Sequence, residues 1–486
     1  MARIESYRVW ALALQVLVSV SVATPAEAQT FSVLYPFGSR SGDPTAPIGN
    51  VVQGADGALY STSYDRGAHG AGTVFKITPG GRVRVLYSFC SQANCADGSL
   101  PGGGLTLRPD GHFLGTTQGG GSHGFGTIFD ITQTGNLTVL YDFTGGKDGA
   151  YPSAPPIYGA DGSFYGTAWE GGAPSGCGTM YKITNSGAVH GGFKLLHEFN
   201  RTDGCNPTAS LVLGTDGNFY GPTVNGGTAG YGLIFKASPA GNVTVLHNFE
   251  GVADGYNPVA SLVQGYDGNF YGTTRGIGPP YSGGIFQITP SGTLTVLHSM
   301  SASGTDGTWL VGGVVQATDG NFYGAAEQGG DSNCGNGAGC GTIFQVTPAG
   351  SLSVLYNFEG TTGYWADTTP FQHTNGLLYG DTYWGGVVSG ACGPFGCGVF
   401  YSLDASLPAF VSFIPDRGKV GSFVEILGQG FTSSTTVSFN GTPATATVVS
   451  GTYRKALVPS GATTGFVTVT TSTGTLTSNK QFLVMP

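Results

Sequence analysis

Charge is what this sequence lacks most. Of 486 residues only 10% are charged, 19 basic and 28 acidic, for a formal net charge of −9, whereas an average soluble domain is about a quarter charged. A surface that grips phosphate backbones or anionic lipid needs clustered Lys and Arg, so nucleic acid and acidic membranes are disfavoured as partners. Beyond residue 28 no apolar run is long enough for a spanning helix, and the closing "SNKQFLVMP" carries no apolar anchor. Catalytic signatures are missing too: no G-x-S-x-G elbow, Walker loop or dinucleotide fingerprint occurs in a credible context. The calcium-loop spacing D-x-D-x-D-G is absent, and no zinc spacing joins His69, His112, His123, His190 and His373. No metal or cofactor is expected.

What is abundant is glycine, 86 residues, together with 12% aromatics. Glycine does not recur at every third position, and disorder would need few aromatics, so neither collagen nor a disordered chain fits. Many short strands joined by tight turns do fit. Residues 1–28 read as a signal peptide: Arg3 and Arg8, the run "VWALALQVLVSVSVA", then "AEA" before Gln29. The expected destination is periplasm, cell surface or exterior. Eight cysteines suit that oxidising compartment. Three pairs are close in sequence, Cys90 with Cys95, Cys334 with Cys340 and Cys392 with Cys397, leaving Cys177 to Cys205.

A unit "DG-x-aromatic" begins at Asp56, Asp110, Asp161, Asp216, Asp267, Asp319 and, with Asn for Asp, Asn375, at intervals of 51 to 56 residues. Each copy is followed by a "GTIFKITP"-like unit and, in the first six, a "VLYSF"-like unit, and preceded by an apolar run such as "ASLVQG". These are four strand-length segments per repeat, with DG and TP-x-G as hairpin turns. Apolar residues on both faces require a sheet covered on both sides. Four-stranded sheets of some fifty residues stacked on copies of themselves are propeller blades. "VLYPF" at Val33–Phe37 is a fourth strand with no blade before it, and the seventh repeat ends without one. The expectation is therefore an all-β chain: a seven-bladed β-propeller over residues 29–405, closed by its N-terminal strand.

The wording "DGNFYGTT…GTIFKITPSG.LTVLYSF" resembles the GloVer tandem repeats of exported bacterial proteins with varied C-terminal anchors, across about 370 residues. That resemblance implies export and little chemistry. From residue 408 to 486 the repeat stops and Val/Thr alternation takes over, with turns every eight to twelve residues, as in a small β-sandwich. Pro415, Gly418, Gly421, "VEILGQGF", "VSFNG" and Phe482 are similar to an IPT/TIG domain, which implies an immunoglobulin-like fold used as a spacer or adhesive unit.

Function is sought where the repeat is broken. The DG acids recur and are read as turn formers, and His197, His247 and His298 stand where other repeats have Tyr. The loops after second and fourth strands should share one face. Trp169 and Trp384 fall in the first kind, Trp309 and Trp365 in the second, with Gln118, Glu170, Asn225, Arg275 and Glu327 expected at matching places. Aromatic faces beside hydrogen-bonding groups suit sugar rings. The expected role is a non-catalytic, monomeric binding or scaffold protein whose long-loop face takes a glycan or an envelope protein. The alternative is a glycan-cleaving enzyme using acids such as Asp65, Glu170 and Glu327.

Overall fold

The structure, a computed structural model, describes residues 29–172, 174–184, 192–276, 283–301, 303–388 and 392–486. The expected signal peptide lies outside the described residues, as does His190. Among the described residues no helix is long and apolar enough to cross a membrane.

The chain is all-β. Seven antiparallel sheets follow one another through the repeats, the second to sixth each formed by four sequential strands. The fourth sheet is typical: Val212–Leu213, Phe219–Thr223, Leu233–Ala237 and Val243–Asn248. The first carries an extra strand, Pro44–Pro47, beside its second. The seventh takes Phe371–Gln372, Leu378–Asp381 and Val399–Asp404 from the last repeat, and its fourth strand is Thr30–Pro36 from the front of the chain.

The DG acids set the hairpin between first and second strands. Asp216 accepts the backbone N–H of Asn218 at 3.1 Å while Gly217 takes φ 80°, a conformation open to glycine. Its other oxygen receives the Tyr220 hydroxyl at 2.8 Å and pairs with Lys236 at 2.7 Å. Asp56, Asp161, Asp267 and Asp319 bond the equivalent Tyr60, Tyr165, Tyr271 and Tyr323.

Those tyrosine rings are fully buried and pack onto the phenylalanine of the next sheet: Tyr60 on Phe113 at 4.3 Å, Tyr220 on Phe270 at 3.9 Å, Tyr271 on Phe322 at 4.1 Å. The glycine after the tyrosine makes room for a third-strand ring; a Cβ on Gly324, next to Tyr323, would stand 2.5 Å from Phe344. Each buried ring contributes roughly 2–3 kcal/mol, so the repeated aromatic pair is the main cohesive element between sheets. Val51, Leu59 and Phe75 of the first repeat share one core with Phe37, Tyr379 and Phe400 of the seventh sheet.

Where the fourth strands end, an acid clasps the outgoing loop. Tyr35, Tyr87 and Tyr141 donate to Asp43, Asp97 and Asp148. His197, His247 and His298 replace the phenol in the next three sheets and meet Asp203, Asp254 and Asp306 at 3.1, 2.7 and 3.0 Å. The four cysteine pairs are disulfide-bonded, and Cys177–Cys205 joins the third sheet to the loop entering the fourth.

Beyond residue 408 two sheets enclose a separate core that includes Val424, Ile426, Phe439, Val467 and Phe482. This module rests on the DG-turn end of the repeats. Thr452 donates to the carbonyl of Ala55, Gln429 to Thr374, and the buried Arg417 to the carbonyl of Gly214. Leu427 and Tyr453 enter the core around Tyr60 and Phe113.

Candidate functional site

At the other end of the sheets, the loop entering each first strand bends through a left-handed residue. Ala46, Leu100, Tyr151, Asn206, Asn257, Trp309 and Trp365 all have φ between 49° and 60°. Side chains adopt this region rarely, and such positions cluster where ligands bind. The carbonyl of this residue accepts the N–H at the end of the second strand: Arg275 to Asn257 at 3.2 Å, Glu327 to Trp309 at 3.1 Å, Tyr383 to Trp365 at 2.8 Å.

Two residues past the left-handed one comes a position that faces inward in every repeat. Ile48, Gly102, Ser153, Thr208, Val259, Val311 and Asp367 there line a single cavity of about 560 Å3, joined by Asn50, Tyr64, Gln118, Trp169, Ser210, Ser261 and Thr369. Among the described residues, Asp367 is the sole acid lining it. A second cavity of about 570 Å3 opens beside it between the fifth, sixth and seventh sheets. Val259, Val311 and Asp367 belong to both, and Arg275, Trp309, Glu327, Gln328, Trp365, Tyr383 and Trp384 complete the second.

In this cleft the Arg275 guanidinium lies 4.5 Å over the Trp309 ring. Tyr383 packs edge-on to Trp384 at 4.8 Å, and Trp365 stands 6.5 Å from Trp384 at 64°. The acids are poorly solvated. Burial raises Glu327 above the usual carboxylate range, against the pull of Arg275. Burial, then the charges of Glu327 and Asp381, push Asp367 well up. Behind it Asp381, with no exposed surface, is pushed to about 8 by burial although Thr368 donates to it at 2.7 Å. Among the described residues, Asp367 Oδ1, Asp381 Oδ2 and Trp365 Nε1 are buried without a hydrogen-bond partner. Such atoms cost about 1–3 kcal/mol each unless something else satisfies them. Poorly solvated carboxyls, an indole N–H and aromatic walls together present polar groups and apolar faces to a neutral polar ligand. Among the described residues no group of three or more His, Cys, Asp or Glu side chains is placed to hold a metal ion.

The sequence-predicted candidates divide. Arg275, Trp309, Glu327, Trp365 and Trp384 come together in the cleft, while Trp169 and Gln118 line the neighbouring cavity. Glu170 and Asn225 line neither. The expectation that they match Trp169, Arg275 and Glu327 is off by one residue. Glu170 pairs with Ala150, Asn225 with Cys205 and Trp384 with Tyr364, so these three follow the inward position by one. Successive strand residues point to opposite sides, which is why the slip matters. Asn225 instead bonds Asn206 at 3.1 Å. The acids beside Glu327 are Asp367 and Asp381, not Asp65 or Glu170. Both were findable as repeat breaks: Asp381 stands where Thr116, Thr167 and Thr273 stand, and Asp367 where six repeats are neutral.

A family profile described as the Gloeobacter/Verrucomicrobia repeat matches residues 20–173 and 154–393, and an IPT/TIG domain profile matches residues 408–484. No curated protein matches the chain. Solved structures resemble it at low identity. A fungal alcohol oxidase of the AA5 family in complex with copper has a TM-score of 0.49 at 13% identity, covering 94% of this chain and 100% of its own. The extracellular domain of a proposed hybrid two-component system from B. thetaiotaomicron has a TM-score of 0.49 at 9% identity, covering 95% of this chain and 60% of its own.

Proposed function

The chain belongs to the Gloeobacter/Verrucomicrobia repeat family and carries an IPT/TIG domain, and from that premise we propose an exported, non-catalytic glycan-binding protein. Its frame is a closed ring of seven blades over residues 29–405, with the module of residues 408–486 attached. Closure is supported by a recurring junction. The side-chain carbonyls of Gln264, Gln316 and Gln372 accept the N–H of Thr215, Tyr266 and Thr318 in the preceding repeat, and Gln53 accepts that of Thr374 across the seventh-to-first boundary at 3.1 Å. The single cavity lined by all seven repeats supports it as well.

The observation that carries the ligand class is the cleft: three tryptophans and Tyr383 around Arg275, with the orphaned Trp365 Nε1 and Asp367 Oδ1 inside. Aromatic faces stack on the C–H side of a sugar ring while the carboxyls and indole meet its hydroxyls. Export is supported by four disulfides. Retention of the purified chain on a panel of immobilised polysaccharides tests this, beside Trp384→Ala and Trp309→Ala. At least one glycan should retain the intact chain and release both variants at unchanged melting temperature. Retention by none, or equal retention of both variants, refutes the assignment.

A second reading, glycan hydrolysis, is favoured by one observation, two poorly solvated acids in one cleft, with the charge of Glu327 helping to raise Asp367. New reducing ends released from the retained glycan, and lost in Glu327→Gln, would establish it in place of plain binding.

A further inference from the structure

We infer that the site recognises the end of a glycan chain rather than its interior. This rests on the glycan-binding reading and adds a topology to it. The cleft leads inward: it shares Val259, Val311 and Asp367 with the cavity at the centre of the repeats. That inner cavity sets Ser153, Thr208 and Ser261 among the apolar Ile48, Trp169, Val259 and Val311, with Asp367 beside them, at a volume usual for small-ligand sites.

What lies beyond it is blocked. The first strands run from this cavity toward the DG turns, and the C-terminal module sits on that far end. Its anchors are on opposite sides of the ring: Arg417 holds the turn of the fourth repeat at Gly214, while Gln429 and Thr452 hold the seventh and first at Thr374 and Ala55. A body fixed at both sides spans the axis between them. Inner-strand residues Val52, Val315 and Phe371 and the module's Phe410, Ile414 and Leu427 line a small space of about 150 Å3 between them. Among the described residues the inner cavity is therefore blind toward the module and entered from the long-loop face. A polymer cannot thread through a blind cavity; it can insert a terminal residue, with the next units lying along Trp309, Trp365 and Trp384.

The test uses the full-length exported chain and two defined probe sets, a linear α-1,4-glucan and a linear β-1,3-glucan, each intact and cut to short oligosaccharides. Maltoheptaose is also compared with its cyclic, end-less counterpart. Calorimetry should find binding sites per unit mass of glucan rising in proportion to chain ends, and at least tenfold weaker binding of the ring than of the linear heptamer. Ser153→Tyr, which narrows the inner cavity from the third repeat, outside the cleft lining, should weaken oligosaccharide binding at least tenfold while the chain melts normally. Sites that scale with mass, or a ring that binds as well as the linear heptamer, overturn chain-end recognition and leave glycan binding intact. Binding to none of these probes while other polysaccharides also fail removes the glycan reading itself.

Discussion

The two ends of the repeat array treat carboxylates in opposite ways. At the DG-turn end, Asp216 is given a backbone N–H, a tyrosine hydroxyl and a lysine, and although burial works against it these hold it down to about 2. At the long-loop end, Asp381 has one threonine donor and a free oxygen, and burial carries it up to about 8. The first arrangement recurs in repeat after repeat and stabilises the turn. The second occurs once and costs stability. Acids that a fold needs are paired; an acid kept buried and half-satisfied at a single place in a repeating frame marks where the frame has been given over to something else.

The largest effect expected from breaking the frame itself comes from removing residues 29–38. The seventh sheet then loses Thr30–Pro36, and the core shared with the first repeat loses Tyr35 and Phe37. Calorimetry should show loss of the cooperative transition and aggregation through the bared strand edge. A deletion that melts like the intact chain rules out strand sharing between the two ends.

Next in size is Asp381→Thr, which restores the residue of other repeats. The folded-state pKa lies above the ordinary 3.8, so the contribution of this acid is present in full below that pH and is lost as pH rises toward 8. Replacement should therefore gain little at pH 3 and on the order of 4 kcal/mol at pH 7. Urea melts at the two pH values measure it, and an equal gain at both would contradict the assignment.

Asp216→Ala should behave in the opposite sense and more weakly. The folded pKa is depressed, so the stability it lends is present above about 3.8 and is lost as pH falls toward 2. Losing its partly exposed hydrogen bonds should cost about 1 kcal/mol at neutral pH, read from the same melts. His373 sharpens the sign rule. Its Nε2 lies 3.0 Å from the carbonyl of Gly57 and its Nδ1 accepts from Asn375, and burial lowers its pKa below 6.5. His373→Gln should flatten a small stability loss that appears as pH falls below about 6.5.

The repeat was legible because it is local: DG turns, strand-length apolar units and the change of texture near residue 408 are each read within a dozen residues. The borrowed fourth strand was also legible, since "VLYPF" at one end answers a vacancy at the other. The cleft was legible only in part. Its tryptophans stand out by rarity, but which residues face inward depends on a register fixed by the bulge-like entry loops, and a slip of one residue placed Glu170 and Asn225 wrongly beside Glu327. Asp367 and Asp381 escaped because an acid in a motif rich in turn acids draws no attention until the repeats are aligned position by position. The seat of the C-terminal module was not readable at all. It is made by scattered contacts, Arg417 to Gly214 and Tyr453 to the Tyr60 core, with no periodicity.

The most direct test of the central claim uses the tryptophans themselves. Four follow residue 28, and three of them, Trp309, Trp365 and Trp384, line the cleft. Intrinsic fluorescence is titrated with soluble oligosaccharides of whichever glycan retains the chain, beside Trp384→Ala, Asp367→Asn and Glu170→Gln. The account predicts a saturable emission change that Trp384→Ala and Asp367→Asn weaken at least tenfold and Glu170→Gln leaves intact. Binding that leaves emission unchanged, or that fails only in Glu170→Gln, would place the site elsewhere and contradict it.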